Sequence, residues 1–181
     1  MRMKETFALL ICIVLAVGTA SAQAVYSGSE RRFALNVGAE ASAFQPDYAG
    51  AGVAQTSPNR LYGMGGYVDV RFNRWIQLEA EARWLNFNEY LAINETSYMV
   101  GPRLPIHRFG RATPYAKFLY GMGNGSFLTG NASAYAFGGG VDYRLSKKFT
   151  LRAFDFEYQS WNANTPLKPY GASAGLSYKI F

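Results

Sequence analysis

A two-residue beat runs through this chain from about residue 32 to its last residue. It is plainest in Ile76-Gln-Leu-Glu-Ala-Glu-Ala-Arg-Trp84. There Ile76, Leu78, Ala80, Ala82 and Trp84 share one face, while Gln77, Glu79, Glu81 and Arg83 share the other. Successive side chains of a strand point to opposite faces, so the pattern is a β-strand with one apolar and one charged side. Eight segments of this kind, each about ten residues long, fit an antiparallel barrel that is apolar outside and polar inside.

The segments span about 32–44, 61–72, 76–84, 97–105, 114–123, 134–145, 149–158 and 170–181. Seven keep one phase. The seventh changes: Phe149 and Leu151 are apolar with Thr150 and Arg152 opposite, but the apolar set then becomes Phe154, Phe156 and Tyr158. One extra residue between the halves predicts a β-bulge near Ala153. Asn73-Arg74 and Ser146-Lys147-Lys148 read as tight turns, and 106–113 as a longer one. The other connections, 45–60, 86–96, 124–132 and 160–168, read as loops. In outer-membrane barrels short turns face the periplasm and long loops face outward.

The residues before this pattern form a separate unit. Arg2 and Lys4 make a positive start, Phe7 to Val17 an apolar stretch, and Ala20-Ser21-Ala22 a small-residue cleavage pattern. This is the layout of a signal peptide over 1–22, with cleavage after Ala22 or after Ala24, leaving the barrel domain over 23–181. The apolar stretch is shorter than the roughly 20 residues a spanning helix needs. Cys12, the one cysteine, lies inside it, so no disulfide is expected in the mature chain. The net charge of +6 is scattered, with no basic stripe interleaved with aromatics, which argues against nucleic acid as a partner.

Placing the charged faces inward yields seven acids: Glu40, Asp69, Glu79, Glu81, Asp142, Asp155 and Glu157. It also yields seven bases: Arg71, Arg83, Arg103, Lys117, Arg144, Arg152 and Lys179. Buried charge is tolerable only when paired, so a narrow lumen is expected to hold these fourteen as a near-neutral network. Arg71 and Arg103 are the first partners expected for Glu79. Glycines on the same face leave room for long side chains. Aromatics near strand ends, among them Tyr62, Trp75, Trp84, Tyr98, Tyr143 and Tyr178, suit the two interfacial girdles of a membrane barrel.

Together with Thr113-Pro-Tyr-Ala-Lys-Phe118, Phe137-Gly-Gly-Gly-Val-Asp-Tyr-Arg144 and the aromatic Phe181, this pattern resembles the small eight-stranded outer-membrane β-barrels of Gram-negative bacteria, the outer-membrane protein A and X type and their opacity-protein relatives. The resemblance covers everything after the leader. It implies an all-β, eight-stranded, up-and-down transmembrane barrel in the cell outer membrane, with outer-membrane lipids as surroundings. It also implies recognition of the last strand by the barrel assembly machinery, through Tyr178, Ile180 and Phe181. Leu176, Tyr178 and Ile180 alternate out of register with Phe181, so recognition can follow the Ile180 register instead. Any extracellular ligand would meet the long loops.

Catalytic chemistry finds few groups to use. His107 is the single histidine and stands in a turn, where a solvated role is the natural one. Clustered histidine and cysteine for a metal site are lacking, and no cofactor is expected. Glu79 and Glu81 could pass for an acid/base pair, but their position beside Arg83 favours charge pairing. Gly121-Met-Gly-Asn-Gly125 has the wrong spacing for a phosphate loop. The Asn-x-Ser/Thr triplets at Asn94, Asn124 and Asn131 read as loop composition. The expected role is therefore structural or surface-interacting, without catalysis. The alternatives are a narrow pore for ions or small solutes, or a soluble lipocalin-like carrier, whose interior would be apolar.

Overall fold

The computed structural model describes residues 33–47, 49, 52, 60–73, 75–87, 93–126, 128, 130–163 and 166–181. The expected leader and both cleavage sites lie outside the described residues. The eight strands are β1 (Ala34–Gln45), β2 (Leu61–Arg71), β3 (Gln77–Phe87), β4 (Glu95–Pro105), β5 (Ala112–Gly125), β6 (Ala132–Arg144), β7 (Phe149–Asn162) and β8 (Tyr170–Lys179). Each pairs antiparallel with the next, and β1 pairs with β8 from Asn36↔Lys179 to Gln45↔Tyr170, closing the barrel. Closure leaves no row of unpaired backbone groups at a sheet edge.

The tight turns form where local side chains can satisfy the backbone. The Asn73 Oδ1 accepts the amides of Trp75 and Ile76 at 2.7 and 2.8 Å. The Ser146 hydroxyl accepts those of Lys148 and Phe149 at 3.2 and 3.0 Å. Such side-chain caps are what makes Asn and Ser turn residues. Between β4 and β5, Phe109 and Ala112 exchange backbone bonds of 2.8 and 2.9 Å around Gly110, whose φ of 61° suits the first central position of a primed hairpin turn. These three turns define one end of the barrel, the turn end. Connections 46–60, 88–94, 126–131 and 163–169 define the loop end. The contrast in length rests mainly on 46–60, because 126–131 is no longer than 106–111.

The phase change in β7 is a bulge at Ala153. On the β6 side Val141 pairs Phe154 and Asp142 pairs Arg152; on the β8 side Arg152 pairs Gly175 and Asp155 pairs Ser173. Ala153 and Phe154 both face outward, and the alternation resumes with Asp155 inside. A second irregularity lies where β2 meets β3, between Tyr62 and Met64.

The outer wall is apolar all the way round. Val37, Met64, Leu78, Val100, Phe118, Tyr120, Phe137, Phe156 and Leu176 come from all eight strands, and all are exposed. Soluble monomers rarely expose an apolar surface of this extent. Near the ends the outward residues turn aromatic. Trp75, Tyr143, Phe149 and Tyr178 stand at the turn end, with Tyr62, Trp84, Tyr98 and Tyr170 toward the loop end. Trp84 donates from its indole nitrogen to the Tyr98 hydroxyl at 3.2 Å. An apolar outer wall around a charged interior is the reverse of the carrier alternative. Ala80, outward and exposed on β3 midway between the outward Ile76 and Trp84 and paired between Val68 and Val100, tests it. In lipid vesicles Ala80→Arg should lower unfolding stability by about 2–4 kcal/mol in urea titrations.

Candidate functional site

The lumen is where the unusual chemistry of this chain collects. Inward positions of eight strands converge on a bore just wide enough for their own side chains. Four cations organise it. The Arg83 guanidinium forks onto Glu157 at 3.0 and 2.8 Å, reaches Glu40 Oε1 at 3.0 Å and also touches Glu81. The Lys117 Nζ lies 3.0 Å from Glu79, 3.1 Å from Glu81, 2.5 Å from Asp155 and 2.6 Å from Glu157. Arg152 bonds Glu79 at 2.7 Å and lies 3.2 Å from both Glu40 and Asp155. Arg103 pairs with Asp142 at 2.7 Å, and with Asp69 and Glu79 at 3.3 Å each; it also donates to Gln77 at 3.0 Å.

All seven inward acids enter this network. Of the seven bases, the buried ion pairs among the described residues use Arg83, Arg103, Lys117 and Arg152. Arg71 and Lys179 are only part-buried at the turn end, and Arg144 is exposed there. The even balance expected from sequence is thus not the balance of the buried network, in which seven carboxylates share four cations. Glu79 finds Arg103 as expected, but Lys117 and Arg152 replace Arg71. Arg71 stands opposite Gln77 near the strand ends, about a full turn of the pleat from Glu79. The three arginines also lie over aromatic rings: Arg152 3.5 Å from the Tyr67 centroid, Arg103 3.6 Å from Tyr115 and Arg83 4.4 Å from Phe44. A guanidinium attracts the negative face of a ring, so these stacks supply contact where carboxylates do not.

Glu40, Glu81 and Asp155 bring ligand-type atoms within 4.8 Å of one another, a spacing a metal could use. Arg83, Lys117 and Arg152 already fill the space between them. The inward glycines seat rings as well as leaving room for charges. A Cβ at Gly38 would lie 2.3 Å from the Tyr67 ring, and one at Gly171 would lie 2.4 Å from Phe44.

Toward the loop end the lumen changes character. Phe44, Leu61, Leu85 and Ile93 form one buried apolar cluster, and Met99, Leu119, Ala132, Ala134, Ala136, Trp161 and Leu167 form another. The expectation of a polar lumen therefore holds for one part of the bore only. These side chains have the same parity as the charges, so alternation alone marks them as inward, and parity was the signal available. Gln159 joins the two parts, donating to Glu157 at 3.0 Å and accepting the Trp161 indole N–H at 2.8 Å. Glu95, buried at the start of β4, lies outside the sequence-predicted segment. His107 is exposed in the turn, its ring centroid 4.8 Å from that of Phe109. At the C-terminus Tyr178 and Ile180 face outward, while Phe181 stacks on Phe33 at 5.5 Å.

Shared cations make the two kinds of neutralisation unequal. Lys117→Met takes one cation from four carboxylates at once, leaving them to Arg83, Arg103 and Arg152 in a low-dielectric bore, and should cost about 3–5 kcal/mol. Glu81→Gln leaves Arg83 with Glu40 and Glu157 and should cost about 1 kcal/mol or less. Urea titration of both variants in lipid vesicles measures the difference. Equal costs would mean that the charges pair one to one.

Solved structures with the same architecture are small outer-membrane barrels. Neisserial surface protein A is 14% identical, with 80% of this chain covering 96% of that one at a TM-score of 0.58. OprG from Pseudomonas aeruginosa is 12% identical, with coverage of 84% and 98% and a TM-score of 0.54. Ail of Yersinia pestis, solved in complex with the heparin analogue sucrose octasulfate, is 16% identical, with coverage of 82% and 97% and a TM-score of 0.50. At these identities the likeness is one of fold. No curated protein sequence matches the chain. The family model of the outer membrane protein beta-barrel domain matches residues 10–179. The chain belongs to that family, and it is an outer-membrane protein that crosses the bilayer on its eight strands.

Proposed function

We propose that this protein is a non-catalytic, non-conducting barrel that anchors in the outer membrane and holds its loop end at the cell surface, with the turn end in the periplasm. The observation that carries this reading is the filled lumen. A buried ion network occupies one part, and Trp161, Phe44, Leu61, Leu85 and Leu167 occupy the other. A narrow pore would need a continuous wet path, and the packed side chains of the two apolar clusters interrupt it toward the loop end, where Glu95 and Ser97 are also buried.

The loop end is tied together over that apolar part. The Lys168 amide donates to Asp47 Oδ2 at 3.0 Å, joining the β7–β8 and β1–β2 connections. Asn94 and Ser126 exchange bonds of 3.2 and 3.3 Å, joining the β3–β4 and β5–β6 connections. Ile93 and Leu167 drop from these connections into the apolar clusters. Loops fixed at their bases are suited to presenting a defined outer surface to an extracellular ligand. On the same reading, the assembly machinery takes the last strand by its outward Tyr178 and Ile180, with Phe181 beside them.

Two measurements test the proposal. Planar bilayers containing the purified barrel should show no steady conductance, and large, stable openings would overturn the non-conducting reading. Orientation is read separately in intact cells. A membrane-impermeant maleimide should label Lys168→Cys, while Lys147→Cys should be labelled only after the outer membrane is permeabilised. The reverse result would turn the barrel over.

A further inference from the structure

The two ends of the barrel differ sharply in charge. At the loop end the described residues carry Arg60 and Lys168 against Asp47 and Glu95. At the turn end, residues 106–111, 143–150 and 176–181 carry Arg108, Arg111, Arg144, Lys147, Lys148 and Lys179, with no Asp or Glu side chain among them. The one nearby acid, Asp142, turns into the lumen onto Arg103. The basic residues are also contiguous. The Arg144 amide donates to the carbonyl of Arg111 at 2.9 Å, and the Lys179 amide to that of Lys148 at 2.7 Å. These two backbone bonds stitch the β4–β5 turn to the end of β6, and the β6–β7 turn to the end of β8. The result is one arc along half the rim.

Beside this arc, on the outward wall, stand Ile106, Phe109, Tyr143, Leu145, Phe149 and Tyr178, all exposed. The Lys148 ammonium lies 5.5 Å over the Tyr178 ring, so cation and apolar wall meet at this rim. An apolar band topped by a continuous row of cations matches the vertical order of a phospholipid leaflet, acyl chains first and phosphates above. Basic residues at such a surface attract anionic lipid at about a fivefold gain each.

We infer that the turn-end arc of Arg108, Arg111, Arg144, Lys147 and Lys148 is a binding surface for the phosphate headgroups of anionic phospholipids. On the orientation proposed above, those lie in the inner leaflet of the outer membrane. The arc thereby selects the phospholipids immediately around the barrel and fixes the depth at which it sits.

The test uses the protein purified from outer membranes and exchanged into nanodiscs of phosphatidylcholine and phosphatidylglycerol, with retained lipids counted by native mass spectrometry. The wild type should retain phosphatidylglycerol over phosphatidylcholine. The preference should fall by about tenfold or more in the fourfold variant Arg108→Gln, Arg111→Gln, Lys147→Gln, Lys148→Gln. These four side chains are exposed and lie outside the buried network, and heat-modifiable gel mobility reports whether the variant is folded. The wild type should also lose the preference at about 1 M salt, where screening acts within about 3 Å. That arm needs no variant. Arg60→Gln with Lys168→Gln should leave the preference intact. A wild type without preference, a folded fourfold variant that keeps it, or a loss that follows Arg60 and Lys168 instead would each overturn the inference. A parallel arm with lipopolysaccharide separates this from a reversed orientation. Selective loss of lipopolysaccharide binding in the fourfold variant would overturn the phospholipid assignment, whatever the conductance shows.

Discussion

Closing eight strands into a barrel solves the backbone's problem and creates one for the side chains. Outside its bulges the backbone of the wall pairs strand to strand all the way round, but a bore remains whose inward side chains have nothing to pack on except each other. Lys117 shows how tightly that constraint binds. It comes from β5, yet it lies within reach of Glu79 and Glu81 of β3 and of Asp155 and Glu157 of β7. One ammonium thus ties together strands that never touch along their ladders. Arg152 does the same between β1, β2 and β3 from the β7 side. Adjacent strands are held by pairing, and non-adjacent ones by bonds across the bore.

The bore is filled by two chemistries joined at Gln159. Charges give direction and distance but leave desolvated groups that must all be met. Apolar side chains give volume and exclude water, without demanding partners. Arginine stacked on Tyr67, Tyr115 and Phe44 belongs to both, because one planar group serves carboxylates at its edge and rings at its face. Interiors built this way change poorly one residue at a time, since each acid or base is a neighbour to several others.

Much of this architecture is legible in the alternation itself. A strand such as Ile76 to Trp84 can be one thing only, and the phase change around Ala153 is visible in the residues themselves. What the period of two cannot convey is distance across the bore. Arg71 follows closely behind Asp69 in sequence and lies diagonal to Glu79, yet it is Lys117 and Arg152, from β5 and β7, that reach Glu79. Those meetings depend on the stagger of strands around the barrel, a property of the closed sheet as a whole. The apolar part escaped for a different reason. Leu85, Met99, Leu119 and Trp161 share parity with the charges, and a two-class reading of faces has no place for apolar residues on the polar one.

The Ala153 bulge has a consequence for how this chain can vary. A strand in a closed barrel carries a phase as well as a length, and β7 changes phase once along its course. Arg152 and Asp155, three residues apart, both reach the lumen only because of that one extra residue. Losing it would swing one half of the strand over, sending Asp155 and Glu157 toward lipid or Arg152 out of the bore. A single insertion or deletion in β7 is therefore a change of frame for side chains, much as it is for codons, and a second event nearby is needed to restore it. One apolar residue can replace another along the outer wall of this barrel, whereas its residue count in β7 is held fixed.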